Sequence, residues 1–369
     1  TAGLYHGDGH EGIVIPRDER LASAIAVAPT APAPDGGAIE NGSVVWVEIT
    51  ADENWDRPAQ GRVVEVMGRP EDPGVDERTV RRIHELPGPF PDEVERAARS
   101  IPPGPDPVER SQREDFTNAP VVTVDPATAR DHDDAVGLTR LSSPQGGLFR
   151  LAVHIADVAR YVEAGGVVDV EARRRGTSVY FPGNCLPMLP AALSSDLCSL
   201  LPGVERLVQS VVIDFDHQGK RTGFRFADGV IRSAARMTYD DLESVLGNDG
   251  PCTTGDRHAQ MLREMGELCR LLRSRRMRRG SLDLDMPETE IVLDETGRVV
   301  ELRPAKHGFA HQVIEEFMLA ANETVAEYLN KTVRASLYRI HEDPDPAGID
   351  ELEERLVAMG TPVRRTRGA

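Results

Sequence analysis

Hydrophobic positions come in short β-branched bursts over the first 72 residues and settle into helical spacing toward the other end of the chain. "EGIVIP" (11–16), "GSVVWVEIT" (42–50) and "GRVVEVMG" (61–68) are bounded by turn residues and read as strands. "APTAPAPDGG" (28–37) is a Pro/Ala/Gly loop, because proline lacks the amide that a strand or helix interior uses. Strands this short, and too few for a large sheet, predict a small all-β barrel of OB type over residues 1–72.

Residues 73–112 predict a proline-rich connector with short helices, one in "DPGVDERTVRRIHEL" and one between the prolines of "PGPFPDEVERAARSIPPGPDP". A larger domain then runs over 113–369. "APVVTVD" (119–125) is a strand, "GLFRLAVHIADVARYV" (147–162) a strand running into a turn, and residues 208–233 two or three strands joined by a tight "HQGK" turn. Apolar spacing of 3.6 predicts helices at 240–247, 256–279, 310–331 and 347–360, the last stopped by Gly360. The fold class expected is a mixed α/β (α+β) domain preceded by the barrel.

Composition adds limits. A chain of 369 residues with 40% hydrophobic content forms a folded protein with a sizeable core. No apolar run reaches the roughly 18 residues needed to span a bilayer, and no signal peptide opens the chain, so a cytoplasmic protein without a membrane partner is expected. Cys185, Cys198, Cys252 and Cys269 form no CxxC pair and read as free or buried thiols. The net charge of −18 argues against a nucleic-acid partner only weakly, because local fields outweigh totals. Arginine clusters at 171–176 and 269–280, taken alone, read as solvated helix faces. The chain opens on Thr1 and stops at "RRTRGA" without a closing element, as a piece of a longer protein would.

One stretch, "VVTVDPATARDHDDAV" (121–136), sets Asp125, Asp131, Asp133 and Asp134 on a turn leaving a strand. Two like charges about 4 Å apart repel by several kcal/mol at an effective dielectric near 20. Protonation, arginine partners or divalent cations must offset that. An EF-hand fails on Ala135 and Val136 at its fifth and sixth positions, and an aspartyl-phosphate site on the strand ending "DPA". Two readings stay open: an oxygen-ligand cage for Mg²⁺, or a solvated acidic turn capping a helix that starts near Ala135.

"TVDPATARDHDDAV" resembles the catalytic signature of the RNB-domain exoribonucleases, the ribonuclease II/ribonuclease R family, with Asp125, Asp131, Asp133 and Asp134 matching position for position. His132 stands at a variable position where members usually carry Phe or Met. Residues 154–207, "IRSAARMTYDDL" (231–242), "IEEFMLAANETVAEYL" (314–329) and "LYRIHEDPDP" (337–346) resemble the same family in order, and residues 1–72 its second cold-shock domain; the ribonuclease R branch is the most similar. The resemblance implies Mg²⁺-dependent, processive 3′→5′ hydrolysis of single-stranded RNA to nucleoside 5′-monophosphates by a monomer. It makes the four aspartates ligands of Mg²⁺, as two ions that Mn²⁺ can replace. Tyr180 would stack on the 3′-terminal nucleotide, and Tyr239 and Glu315 would read the ribose. By themselves these three read as a strand aromatic, a turn support and a helix-surface acid. His154 and Asp157 read as supports of the metal loop, and Cys185 as packing.

One part of the family pattern is missing. Members continue to a Ser-Pro-[Leu/Ile]-Arg-[Arg/Lys]-Tyr motif whose arginine stabilises charge on the scissile phosphate, and to an S1 domain; a first cold-shock domain precedes the second. None of these occurs in the 369 residues. A catalytic domain incomplete at its C-terminal end is therefore expected, with a non-catalytic RNA-binding module as the alternative.

Overall fold

The computed structural model describes residues 1–7, 12–21, 24–27, 39–52, 57–142, 148–247, 256–282, 284, 286, 288–333, 335–338 and 340–361. The 28–37 loop, Cys252 and the closing "RRTRGA" lie outside the described residues. Two compact units are present, Thr1–Ala321 and Asn322–Ala369.

The first unit opens with β1 (Ala2–Gly7), β2 (Gly12–Pro16), β3 (Ile25–Val27), β4 (Val44–Ala51) and β5 (Gln60–Gly68), which close into a barrel in the order β1-β2-β3-β5-β4. Tyr5, Val14, Ile25, Val45, Val47 and Val63 fill its interior. This is the OB-type barrel expected. β1 and β3, which the hydrophobic pattern left unassigned, complete it.

Three short helices follow, α1 (Val75–Ile83), α2 (Asp92–Arg99) and α3 (Pro107–Gln112). α3 starts on Asp106, whose carboxylate accepts from the Val108 and Glu109 amides, with Pro107 in the first turn where no amide is needed.

The main sheet comprises β6 (Glu114–Asp115), β7 (Val121–Asp125), β8 (Asp134–Leu141) and β9 (Leu148–Ala156). After α4 (Val158–Tyr161), α5 (Val167–Arg175) and the hairpin β10 (Val179–Phe181) and β11 (Asn184–Leu186), it resumes with β12 (Glu205–Phe215), β13 (Arg221–Arg232) and β14 (Ala235–Thr238). The order is β14-β7-β8-β9-β12-β13-β6. Asp216 makes the β12–β13 turn by accepting from the Gln218 and Lys220 amides, and Gly219 takes φ +72°.

β7 is buried throughout because both sheet faces are covered. Val122, Val124, Val136 and Leu138 pack under α6 (Tyr239–Leu246), α7 (Asp256–Arg278) and the first part of α8, a helix spanning Phe309–Thr332, with Leu242, Leu262, Met265 and Phe317 opposite them. Val121 and Ala135 face the other way, onto Val94 and Ala98 of α2, Val168 of α5 and Leu193 and Leu200. A two-stranded hairpin outside the main sheet, β15 (Thr289–Leu293) and β16 (Val299–Pro304), precedes α8.

Two expectations are corrected. Asp134 does not cap a helix; it opens β8, because Ala135 to Leu138 fill positions paired with β9 and buried on both faces. The 171–176 arginines are not simply a solvated face. Arg175 is buried, paired with Glu171, donating to the Gly88 and Pro187 carbonyls and lying over the Phe90 ring at 3.6 Å.

The second unit contains the end of α8 and α9 (Pro346–Ala358), which Asp345 caps ahead of Pro346. No helix among the described residues is long and apolar enough to cross a membrane. Phe317 is fully enclosed between α8 and the sheet. Phe317→Ala should cost about 3–5 kcal/mol in urea denaturation, and an unchanged midpoint would contradict this packing.

Candidate active site

The aspartate loop leaves the end of β7 and returns to start β8. Asp125 is the last residue of β7, and Thr238 is its partner in the parallel strand β14. Ala129 N donates to Pro126 O across a turn whose carbonyls converge on one guanidinium: Arg236 Nη2 donates to Ala127 O at 2.7 Å and Ala129 O at 3.1 Å. Farther along, His132 N donates to Ser199 Oγ, Leu200 N donates to His132 O, and Ala156 N donates to Asp133 O. The loop is thus held at both ends and in the middle by residues remote in sequence.

These ties bring carboxylates together at a cost. Burial above all, then the charges of Asp133 and Asp125, push Asp134 up to about 7. Burial also raises Asp125, although His132 offsets part of the shift: His132 Nδ1 lies 2.7 Å from Asp125 Oδ2, and the ring is 2% exposed. Among the described residues, neither Asp133 nor Asp134 is ion-paired with a lysine, arginine or histidine. Asp131 stands apart, accepting a 3.1 Å hydrogen bond from the Tyr180 hydroxyl.

Oxygen donors that are desolvated and mutually repelling fit a hard divalent cation. Among the described residues, no three His, Cys, Asp or Glu side chains form a finished metal-binding group. Asp131 is engaged by Tyr180, and one oxygen of Asp125 by His132.

Around this cluster sit the other predicted residues. Tyr180, on β10, is 67% exposed. Tyr239 is the first residue of α6, one past the partner of Asp125, and a capping box between Thr238 and Asp241 fixes the helix start there. Burial and the nearby Asp134, Asp125 and Glu315 carboxylates raise its phenol. Its ring stacks on His311 with centroids 3.8 Å apart. His307 Nε2 lies 2.7 Å from Glu315 Oε1, whereas the adjacent Glu316 is buried and paired with Arg276.

His311 accepts from the Gly308 amide through Nδ1, so its remaining proton sits on Nε2; burial, then His307, lowers its pKa. Arg236, His307 and His311 escaped the sequence reading, and His132 read there only as a variable position of the motif. Only the i, i+4 pair His307 and His311, at the start of a periodic stretch, carried a visible signal.

His154 and Asp157 are bound into the scaffold. His154 Nδ1 meets Ser210 Oγ at 2.8 Å, and Asp157 accepts from Arg113 and Gln209. Cys185, Cys198 and Cys269 are free thiols, and burial pushes the latter two up to about 12.

The model of the cold shock domain matches residues 13–91 and that of the RNB domain residues 113–367. The chain belongs to the RNB-domain family. Within it, the chain is similar to ribonuclease R: 37% identical to that of Thermotoga maritima, over 98% of this chain and 50% of the relative, and 36% identical to that of Aquifex aeolicus, over 95% and 49%. The structure of Mycoplasma genitalium RNase R in complex with ribose-methylated single-stranded RNA superposes with a TM-score of 0.85 at 29% identity, covering 100% of this chain and 57% of that one. The chain spans about half the length of the curated relatives it matches.

The raised Asp134 makes stability depend on pH. Its folded value of about 7 exceeds the ordinary 3.8, so between those values the folded chain holds a proton that the unfolded chain has released. The contribution is complete below about pH 4 and is lost as pH rises through about 7. In EDTA, the parent should lose stability relative to Asp134→Asn across that window by a few kcal/mol, measured by urea denaturation. Parallel curves for the two proteins would contradict the assignment.

Proposed function

We propose that this chain carries the active centre of a divalent-metal-dependent 3′→5′ exoribonuclease that degrades single-stranded RNA processively to nucleoside 5′-monophosphates. The observation that carries this is the desolvated pair Asp125 and Asp134, with exposed Asp133 next to them, beside Tyr239 and Glu315, in a chain of the RNB family. Asp125, Asp131, Asp133 and Asp134 would hold Mg²⁺, as two ions, with Mn²⁺ as a substitute. Bound there, the cations would polarise the scissile phosphate and lower the pKa of a water.

The chain's own groups do the rest. Tyr180 offers an exposed ring to the last base, and its hydroxyl donates to Asp131, so nucleotide position and carboxylate position are set by one side chain. Stacking of this kind contributes about 1–3 kcal/mol per base and tolerates any sequence. Tyr239, kept in place by His311, and Glu315 supply hydrogen-bonding groups for a 2′-hydroxyl. The barrel over 1–72 lines the RNA entrance, 73–112 connects, and 113–369 belongs to the catalytic domain. The protein works as a cytoplasmic monomer.

The test incubates the chain with 5′-labelled single-stranded RNA and Mg²⁺. Laddering from the 3′ end is expected, abolished by EDTA and reduced roughly 10³-fold or more by Asp134→Asn, since losing several kcal/mol of charge stabilisation has that effect. Tight binding without cleavage would instead make the chain an RNA-binding module. Tyr180→Ala should change the size of the final RNA product more than the rate, while Tyr180→Phe, which keeps the ring, should leave that size as in the parent. An unchanged end product in the alanine variant would remove the stacking role.

A further inference from the structure

His132 lies inside the aspartate loop, yet its ring is buried and its main chain is fixed on both sides. Its amide donates to Ser199 Oγ at 3.1 Å, and its carbonyl accepts from Leu200 N at 2.7 Å. Ser199 is itself fully buried, and its carbonyl accepts from Arg206 Nε, while Arg206 Nη2 reaches Asp196. The imidazole is therefore placed by residues 196–206 and not by the loop alone. Its one polar contact to a candidate ligand is the 2.7 Å approach of Nδ1 to Asp125 Oδ2. Asp125 has its backbone fixed by the β7–β14 register, so rotation of the carboxylate is the freedom left to it, and this contact removes that freedom.

We propose that His132 is a positioning residue for the divalent-cation centre, donating from Nδ1 to one oxygen of Asp125 so that the other oxygen is presented to the cation. The proposal rests on the reading of Asp125 as a metal ligand given above. A partner that hydrogen-bonds a ligating group orders it before the cation arrives, and its loss typically costs 10–100-fold in metal affinity. Members of the resembling family usually carry Phe or Met at this variable position, so Phe is a substitution the site can be asked to accept.

The test is Mn²⁺ binding to the full 369-residue chain, followed by electron paramagnetic resonance of the free ion and needing no RNA or turnover. His132→Phe should bind Mn²⁺ about 10–100-fold more weakly than the parent. His132→Asn, whose side-chain amide donates from nearly the place of Nδ1, should recover most of that loss. A purely structural role predicts lowered unfolding midpoints with Mn²⁺ affinity unchanged, and that result overturns the proposal.

If His132→Phe does not fold, ¹⁵N spectra of the parent's histidines decide. The His132 Nδ1–H resonance should shift saturably with Mg²⁺ in the parent and not in Asp125→Asn; a resonance indifferent to Mg²⁺ overturns the proposal. Binding lost in Asp134→Asn but intact in His132→Phe defeats this inference alone. A parent that binds no Mn²⁺ defeats the metal-centre reading and this inference with it.

Discussion

Carboxylates withdrawn from water beside one another repel, and the scaffold around Asp125 and Asp134 is built to hold them there regardless, with exposed Asp133 next to them. The forces that do so are ordinary ones: strand pairing fixes Asp125 and Asp134, and main-chain hydrogen bonds from Leu200 and Ala156 fix the peptides between them. Arg236 does the rest from beneath the turn, spending its charge on carbonyls and none on the acids. Had that guanidinium paired with Asp134, the repulsion would be quenched. The charge imbalance is thereby kept, localised and available.

The same strand pairing ties Tyr239 to that centre. β14 runs parallel to β7 and leaves the sheet at the same end, so the residue that follows the partner of Asp125 is Tyr239. α6 then leads back over the sheet, where α8 packs beside it and carries His311 and Glu315 into the same neighbourhood. Groups from three separated stretches of chain meet because two strands and two helices share one core.

Much of this architecture was legible in the residue pattern. The helices over 239–246, 256–278 and 309–332 follow apolar spacing closely, and the β-branched runs mark β4, β5, β7, β9 and β12. β8 escaped because its first residue is acidic and its burial comes from the layers packed on both faces of the sheet, information that lies elsewhere in the chain. The local crowding of aspartates was plain, but its division was not: Asp131 goes to Tyr180, 49 residues away, and the turn is held by Arg236, 109 residues from Ala127. His132 read as a neutral variation because a side chain's burial and its partner are set by packing, which spacing alone does not encode.

The barrel adds a constraint of another kind. A sheet closed on itself loses most of its edge, and among the described residues β3 closes this one onto β5 through Ala26–Gln60 and Val27–Gly61. Among the described residues, its outer surface presents apolar side chains, among them exposed Ile13, Ile15 and Val64. Such a face offers contact through side chains, which fix chemistry at a surface but carry none of the residue-by-residue register that strand pairing imposes.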